Sequence, residues 1–284
     1  MPSDNVSKRY FFETIPNDPN ARLSIIAGGD SRNNRGARQS ANKMVAKLQP
    51  DAVFFGGDFT FSDTPFEWLF WMEDWKHTIT DDGQLFGIVP ARGNHEYLPS
   101  TVFDLFDVPN QEGYYALTFG DNLVRAYTLN TETSIAGDQT TWLENDLQTH
   151  TNVDWKMAQY HKPMRPHNAA KSEGNAQYDA WAQLFYDYNV ALAVECDSHV
   201  VKTTDVLKPD PSGEEGFVVD QGSRGFYTSG TYYIGEGCWG APTRANDDDK
   251  SWTLASGSFN QIKWIFVDQT HFRRLPQPRI AVPS

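Results

Sequence analysis

Three apolar runs in the chain stop at a glycine followed by a residue that can hold a cation: LSIIAGG before Asp30, AVFFGG before Asp58, and LFGIVPARG before Asn94 and His95. Two more stop at His161 and at the CDSH group that carries Asp197 and His199. Carboxylate, amide and imidazole donors delivered by five strand ends are what a divalent cation requires, and a bridging carboxylate is what two neighbouring cations require. The pattern reads as a metal-dependent hydrolase. Each residue alone has a plainer reading, a strand-end Asp as a turn former or helix cap and a lone His as a hydrogen-bonded structural group. Five such groups in one chain point to a bound cation. Within GNHE, Asn94 offers a neutral carbonyl oxygen, and His95 beside it points elsewhere, where it could protonate a leaving group or hold a phosphate oxygen. Asp197 and His199 lie two residues apart, and alternate residues of an extended segment share one side.

Alternating strands and helices must bring these ends together. LSIIAGG and DAVFFGG read as buried strands, and Gly36 to Gln49 carries a helical pattern (Ala37, Ala41, Met44, Val45, Leu48) that ends before Pro50. Thr64 caps and Pro65 opens a second helix through about Ile79, and LFGIVPA is a third strand. Short connections imply parallel, right-handed βαβ units, whose ligands bind outside the carboxyl ends of the strands. YYALTFG and NLVRAYTLN read as a hairpin around Gly120, Asp121 and Asn122, followed by a helix near Asp138 to Gln148. DWKMAQY leads into His161, and a helix around Gln177 to Tyr188 leads into VALAVEC. Beyond His199, the runs VVKTTDVL, EGFVVD, GTYYIGEG and NQIKWIFVD predict β structure. The fold class is α/β: two mixed β-sheets packed as a sandwich and flanked by helices, the first half more parallel and the second more antiparallel. No linker or repeat interrupts the 284 residues, which read as a single domain with a peripheral N-terminal segment of about 20 residues.

The formal net charge of −13 argues against bulk nucleic-acid binding, which depends on Lys and Arg neutralising phosphates. A small phosphorylated partner stays compatible, because a local positive site built by metal is invisible in that count. No run approaches the length of a membrane span, and MPSDNVSKRYFF lacks the apolar core of a signal peptide, so the sequence reads as soluble, with a removed export signal left open. Cys196 and Cys238 each close an apolar run and read as two buried thiols, one disulfide being the alternative. Trp68, Trp71 and Trp75 recur at helical spacing without interleaved basic residues, so they read as core. Asp247, Asp248 and Asp249 read as a solvated loop.

The order GD, GGD, GNHE, a strand-end His and a final group ending in His resembles the calcineurin-like metallophosphoesterases, and the remaining texture resembles their purple-acid-phosphatase-like branch. The resemblance runs from roughly Ile25 to Val200, and YYIGEGCWGAP is similar to the glycine-rich strand and turn near that branch's C-terminus. It implies a four-layer fold and a dinuclear centre of divalent ions (Mn, Fe, Zn or Mg). Asp30 would bind the first ion, Asp58 would bridge, Asn94 and His161 would bind the second, and His199 would return to the first. His95 would contact the substrate and assist the leaving group. The implied activity is that of a phosphoric ester hydrolase, in which a metal-bound hydroxide attacks phosphorus. A phosphomonoesterase is the first choice, with small diesters or nucleotides as the alternative substrates. A secreted or periplasmic address follows from the same resemblance.

Three positions depart from the family. Arg32 stands where a His is common, Phe61 where the purple branch has a Tyr, and Asp197 where a His would serve the second ion. The first ion is left with Asp30, Asp58 and His199, with water, Asn33 or Asn34 to complete it. The second keeps Asp58, Asn94, His161 and Asp197, a harder set that suits Mn²⁺ or Mg²⁺. Arg32 reads either as a bidentate grip on phosphate or as the partner of a surface carboxylate. Arg165 and His167, just past HKP, are expected to line the pocket. The same departures also fit a non-catalytic phosphate- or metal-binding relative.

Overall fold

The computed structural model describes residues 9–220 and 230–274. In chain order the elements are β1 (Phe11–Phe12), β2 (Leu23–Gly28), α1 (Arg35–Leu48), β3 (Ala52–Phe55), α2 (Pro65–Trp75), β4 (Gln84–Leu85), β5 (Ile88–Pro90), α3 (Ser100–Phe106), β6 (Tyr115–Phe119), β7 (Val124–Thr128), α4 (Asp138–Thr149) and β8 (Trp155–Gln159). A helical segment over 175–187 follows, wound as π-helix at Tyr178–Ala182, and then β9 (Val190–Glu195), β10 (Val201–Pro209), β11 (Phe217–Val219), β12 (Thr231–Gly235), β13 (Thr253–Gly257), β14 (Lys263–Asp268) and β15 (His271–Arg274).

Local chemistry sets the helix ends. The Asn34 side chain accepts the Ala37 N–H at 3.2 Å to open α1, and Gln49 closes it in a left-handed conformation just before Pro50. At α2, Thr64 accepts the Glu67 N–H while the Glu67 carboxylate reaches back to the Ser62 N–H at 2.7 Å, with Pro65 in the first turn.

One sheet has the order β15-β14-β2-β3-β5, and the other β11-β10-β12-β9-β8-β7-β6 with β13 also on β10. The hairpin expected around Gly120 to Asn122 is β6 against β7. The division into a parallel first half and an antiparallel second half is crossed in two places. β12 runs parallel to β9, and β14 crosses into the first sheet, antiparallel to β2 with Ile265 opposite Ile25. The reason lies in the alternation of β14, whose buried Ile265 and Val267 extend the same inner face as Leu23, Ile25 and Ala27.

That face packs on Val124, Ala126, Met157, Leu192, Val194 and Ile234 of the second sheet, forming the central core. The outer face of the first sheet (Ile26, Val53, Phe55) is covered by Ala41 and Val45 of α1 and by Trp68 and Trp71 of α2. The outer face of the second sheet (Tyr127, Ala158, Ala193) is covered by Leu143 and Leu147 of α4 and by Trp181 and Phe185. Four layers result, with the tryptophans of α2 in the core as expected.

Asp74 of α2 clamps the two outer helices to the loop that follows β2. It accepts Arg35 Nη2 at 2.7 Å, Gln39 Nε2 at 2.6 Å and Arg38 Nε at 3.0 Å, while Arg38 Nη1 donates to Ser31 O at 3.0 Å. Burial pushes the Asp74 carboxyl up, but hydrogen bonds from Arg35, Gln39 and Arg38 outweigh it and pull it down to about 2. Its folded value thus lies below the unfolded one of about 3.9, so its contribution is present above pH ~4 and is lost as pH falls towards about 2. Asp74→Asn, which strands the buried Arg38 charge, should cost roughly 3 kcal/mol at neutral pH. Thermal melts of both proteins between pH 2 and pH 6 should show the gap narrowing towards the acid end; a constant gap would contradict this account.

Candidate metal centre

β2 and β3 end side by side, and each delivers its Asp through a left-handed backbone turn, with φ of +57° at Asp30 and +56° at Asp58. The turns are tied by Asp30 N–H to Gly57 O at 2.9 Å and Ser31 N–H to Asp58 O at 3.0 Å. The glycines before the two carboxylates make room for the thiol of Cys196, which follows β9: a Cβ at Gly29 would lie 2.7 Å from its sulfur, and one at Gly56 2.3 Å. Across the site Gly237 (φ +86°) leaves room for Asp30 itself, since a Cβ there would lie 1.8 Å from Asp30 Oδ2. Cys196 and Cys238 are both buried free thiols, and burial raises both above the ordinary thiol range.

Two sets of ligand atoms converge here. His161 Nδ1 lies 2.8 Å from the carbonyl of Gly56, which only accepts, so this nitrogen carries a proton and Nε2 is the atom turned to the site, able to offer its lone pair to a metal that displaces a proton. Facing Nε2 are Asn94 Oδ1 at 3.1 Å, Asp58 Oδ1 at 3.2 Å and Asp197 Oδ1 at 3.7 Å. Three oxygens gathered around one imidazole nitrogen need a proton or a cation among them, and this nitrogen and three oxygens suit a divalent metal. The second set is Asp30, Asp58 and His199, whose ligand atoms lie within 4.8 Å of one another. His199 Nδ1 donates to Pro242 O at 2.8 Å, and its Nε2 lies 3.1 Å from Asp30 Oδ1.

Asp197 and His199 do not share one side of an extended segment. Both have left-handed backbones, with φ of +70° and +58°, so the chain bends between them and sends Asp197 towards His161 and His199 towards Asp30. The Asp197 N–H closes the bend on Asp30 Oδ2 at 2.8 Å.

Electrostatics follow the same geometry. Burial favours the neutral form of Asp58, but His161 and His95 outweigh it and hold the carboxyl below the ordinary carboxylate range. Burial lowers His161, and the carboxylates of Asp58, Asp30 and Asp197 reverse this and push it well above the usual imidazole value. In the ion-free chain a proton does what a cation would do.

Arg32 has Asp58 as its partner, through Nε to Oδ2 at 3.1 Å, and not a surface carboxylate. Its guanidinium stands 5.5 Å over the Phe61 ring, which itself stacks on His95 at 5.2 Å. The His95 N–H donates to Asp58 Oδ1 at 2.9 Å, and its ring holds Phe61 O through Nδ1, leaving Nε2 free 3.9 Å from Asp58 Oδ2. Arg165 and His167 lie in networks of their own. Arg165 bonds Glu173 O and Asn175 and lies 4.2 Å over Tyr178, while His167 is fully buried between Glu236 and Thr253.

Sequence reasoning passed over two residues. The buried Glu96 accepts three backbone N–H groups, from Asp58 at 2.9 Å, Phe59 at 3.0 Å and Gly93 at 2.8 Å, and so locks the Asp58 turn to the Asn94 turn. Its place in GNHE was its signal. Lys171 donates to Asp197 Oδ1 at 2.6 Å from a loop with no periodic pattern, which gives no signal at all. A cavity of about 600 Å³ reaches Asn94, Asp197, Lys162, Lys171, Thr131 and Gln177, and a smaller one of about 140 Å³ reaches Arg32, Asn33, Phe61 and Phe70.

Residues 25–200 match the profile of the calcineurin-like phosphoesterases, and the chain belongs to that family. No curated protein matches it. Among solved structures it is similar to a purple acid phosphatase, PPD1, from yellow lupin (Lupinus luteus) seeds, with 14% identity and a TM-score of 0.72 over 93% of this chain and 54% of that one. It is also similar to PhoD, with 10% identity and a TM-score of 0.62 over 94% of this chain and 74% of that one. A dimetal phosphatase from Danio rerio has 10% identity and a TM-score of 0.52, over 92% of this chain and 100% of that one. These are likenesses of fold, and the chain spans about half the length of the lupin enzyme. The family match agrees with the four-layer architecture.

Saturating Mn²⁺ should raise the melting temperature of the protein by several degrees, because an ion bound only by the folded state stabilises it by RT ln(1 + c/Kd), with c the free Mn²⁺ concentration. His161→Ala removes the centre of the larger ligand set and should abolish most of that shift while the far-ultraviolet circular dichroism stays unchanged. An equal shift in both proteins would place the ion elsewhere.

Proposed function

We propose that the protein is a metal-dependent phosphomonoesterase whose reaction takes place over Asp58. The observation that carries this reading is the convergence of Asp58, Asn94 and Asp197 oxygens on Nε2 of His161, with Arg32 and His95 both in contact with Asp58. The residues fit the metal the family implies: Asp58, Asn94, His161 and Asp197 would hold it, and Asp30, Asp58 and His199 form the neighbouring set. When bound, a divalent ion supplies Lewis-acid chemistry, neutralising phosphoryl oxygens and making water a nucleophile near neutral pH.

The chain's own residues supply the rest. His95, fixed by its Nδ1 contact with Phe61 O, presents Nε2 as the group that carries a proton to the departing alkoxide. Arg32 and Lys171 place two permanent cations against the carboxylates Asp58 and Asp197, which lets the site accept a dianion. That charge favours a monoester over a singly charged diester. No described helix is long and apolar enough to cross a membrane.

With Mn²⁺ or Zn²⁺ present, the protein should cleave p-nitrophenyl phosphate faster than bis-p-nitrophenyl phosphate. Asp58→Ala should abolish turnover, and His95→Ala should lower kcat by roughly 10²–10⁴. Preference for the bis ester would overturn the monoesterase assignment, and absence of turnover with every divalent metal would overturn the enzymatic one.

A further inference from the structure

The two ligand sets differ in what already lies on them. The Arg32 side chain is only 9% exposed, and every one of its nitrogens has a partner within the site. Nε donates to Asp58 Oδ2 at 3.1 Å, Nη2 lies 3.2 Å from His199 Nε2, and Nη1 lies 3.3 Å from Asn33 Oδ1. Two of those three partners are atoms that an ion on Asp30, Asp58 and His199 would need.

A carboxylate oxygen has lone pairs to share between an N–H donor and a metal. An imidazole nitrogen has one. Since the proton of the His199 ring lies on Nδ1, against Pro242 O, the single lone pair of Nε2 serves either the guanidinium or a metal and cannot serve both. A proton on Nε2 would have Asp30 Oδ1 as its acceptor at 3.1 Å, but would set two N–H groups against each other where Arg32 Nη2 lies. The guanidinium is held in this position from both sides, by Asn33 from the following residue and by the ring of Phe61 beneath it. Phe61 has no hydroxyl and offers an ion nothing.

Charge points the same way. Asp30, Asp58 and Asp197 are met by Arg32 and Lys171, which leaves one negative charge uncompensated among the groups at the ligand atoms. One divalent ion turns that into a single positive charge, suited to a phosphate dianion. A second ion would have to enter against a guanidinium that stays protonated at any working pH.

We infer that Arg32 is the resident cation of the Asp30, Asp58 and His199 set, so that this chain takes one divalent ion, on Asp58, Asn94, His161 and Asp197, where the resemblance implies two. The inference rests on the metal-dependent reading above and narrows it. Metal content measured by mass spectrometry after dialysis against Mn²⁺ should be one equivalent per chain, with the electron paramagnetic resonance spectrum of an isolated ion. Arg32→Ala and Arg32→His free the His199 lone pair and should raise the content to two equivalents, with an exchange-coupled spectrum; Arg32→His also supplies a ligand if the smaller variant folds poorly. Two equivalents in the wild-type protein, together with hydrolysis, would overturn this assignment and leave the phosphatase reading intact. One equivalent in both variants would likewise overturn it, whereas no bound metal and no hydrolysis in any protein would remove both readings.

Discussion

Four ligand atoms aimed at one point set the terms for the rest of the structure. Asp58, Asn94 and Asp197 present oxygens to one imidazole nitrogen, His161 Nε2, all of them buried or nearly so, and a single proton on that nitrogen serves only part of the set. Such a cluster is unfavourable without a cation. The chain has to assemble it against that cost, and the extended core and the strained turns are what hold it in place.

The fold does this by stacking two sheets so that strand ends from both meet at one edge. β2, β3 and β5 bring Asp30, Asp58 and Asn94 from one side, and β8 and β9 bring His161, Asp197 and His199 from the other. Left-handed turns at Asp30, Asp58, Asp197 and His199 aim the side chains, and those at Asp30, Asp58 and His199 are fixed through their N–H groups by Gly57 O, Glu96 and Glu236 O, outside both ligand sets. Glu96 ties two turns of the first sheet together, and the thiol of Cys196 fills the gap left by Gly29 and Gly56 between the sheets. Behind β9, the fully buried Lys202 bonds Glu195 at 2.9 Å and Glu236 at 3.1 Å, joining the Cys196 loop to the turn after β12. Burial lowers that lysine and the two carboxylates more than restore it, so it stays charged.

Much of this was legible in the sequence, and for physical reasons. Strand-end glycines followed by carboxylates mark backbone that must turn sharply into a site, and the 3.6-residue periods of α1 and α2 and the caps Asn34 and Thr64 locate the helices that cover one sheet. What was not legible depended on contacts between distant segments. β14 reads as one more late strand, and only its pairing with β2 shows that it closes the first sheet. Asp197 and His199 read as alternate residues of an extended run because nothing in CDSH announces two left-handed residues. Lys171 sits in an irregular loop, and its contact with Asp197 is set by the fold of residues 160–175. Arg165 and His167 were drawn towards the pocket by proximity in sequence, whereas their contacts lie with Glu173, Asn175, Glu236 and Thr253.

Two of the three residues that depart from the family's pattern, Arg32 and Phe61, also touch. Arg32 lies over Phe61 and on Asp58, so a change of ligand type in sequence becomes, in three dimensions, the exchange of one kind of positive charge for another. On this reading the His161 cluster exists to hold a cation. Anomalous diffraction from crystals grown with Mn²⁺ tests it most directly. A peak about 2.0–2.3 Å from His161 Nε2 and from oxygens of Asp58, Asn94 and Asp197 is the predicted result; Mn²⁺ bound elsewhere, with those four atoms still facing one another across an ion-free gap, would contradict it.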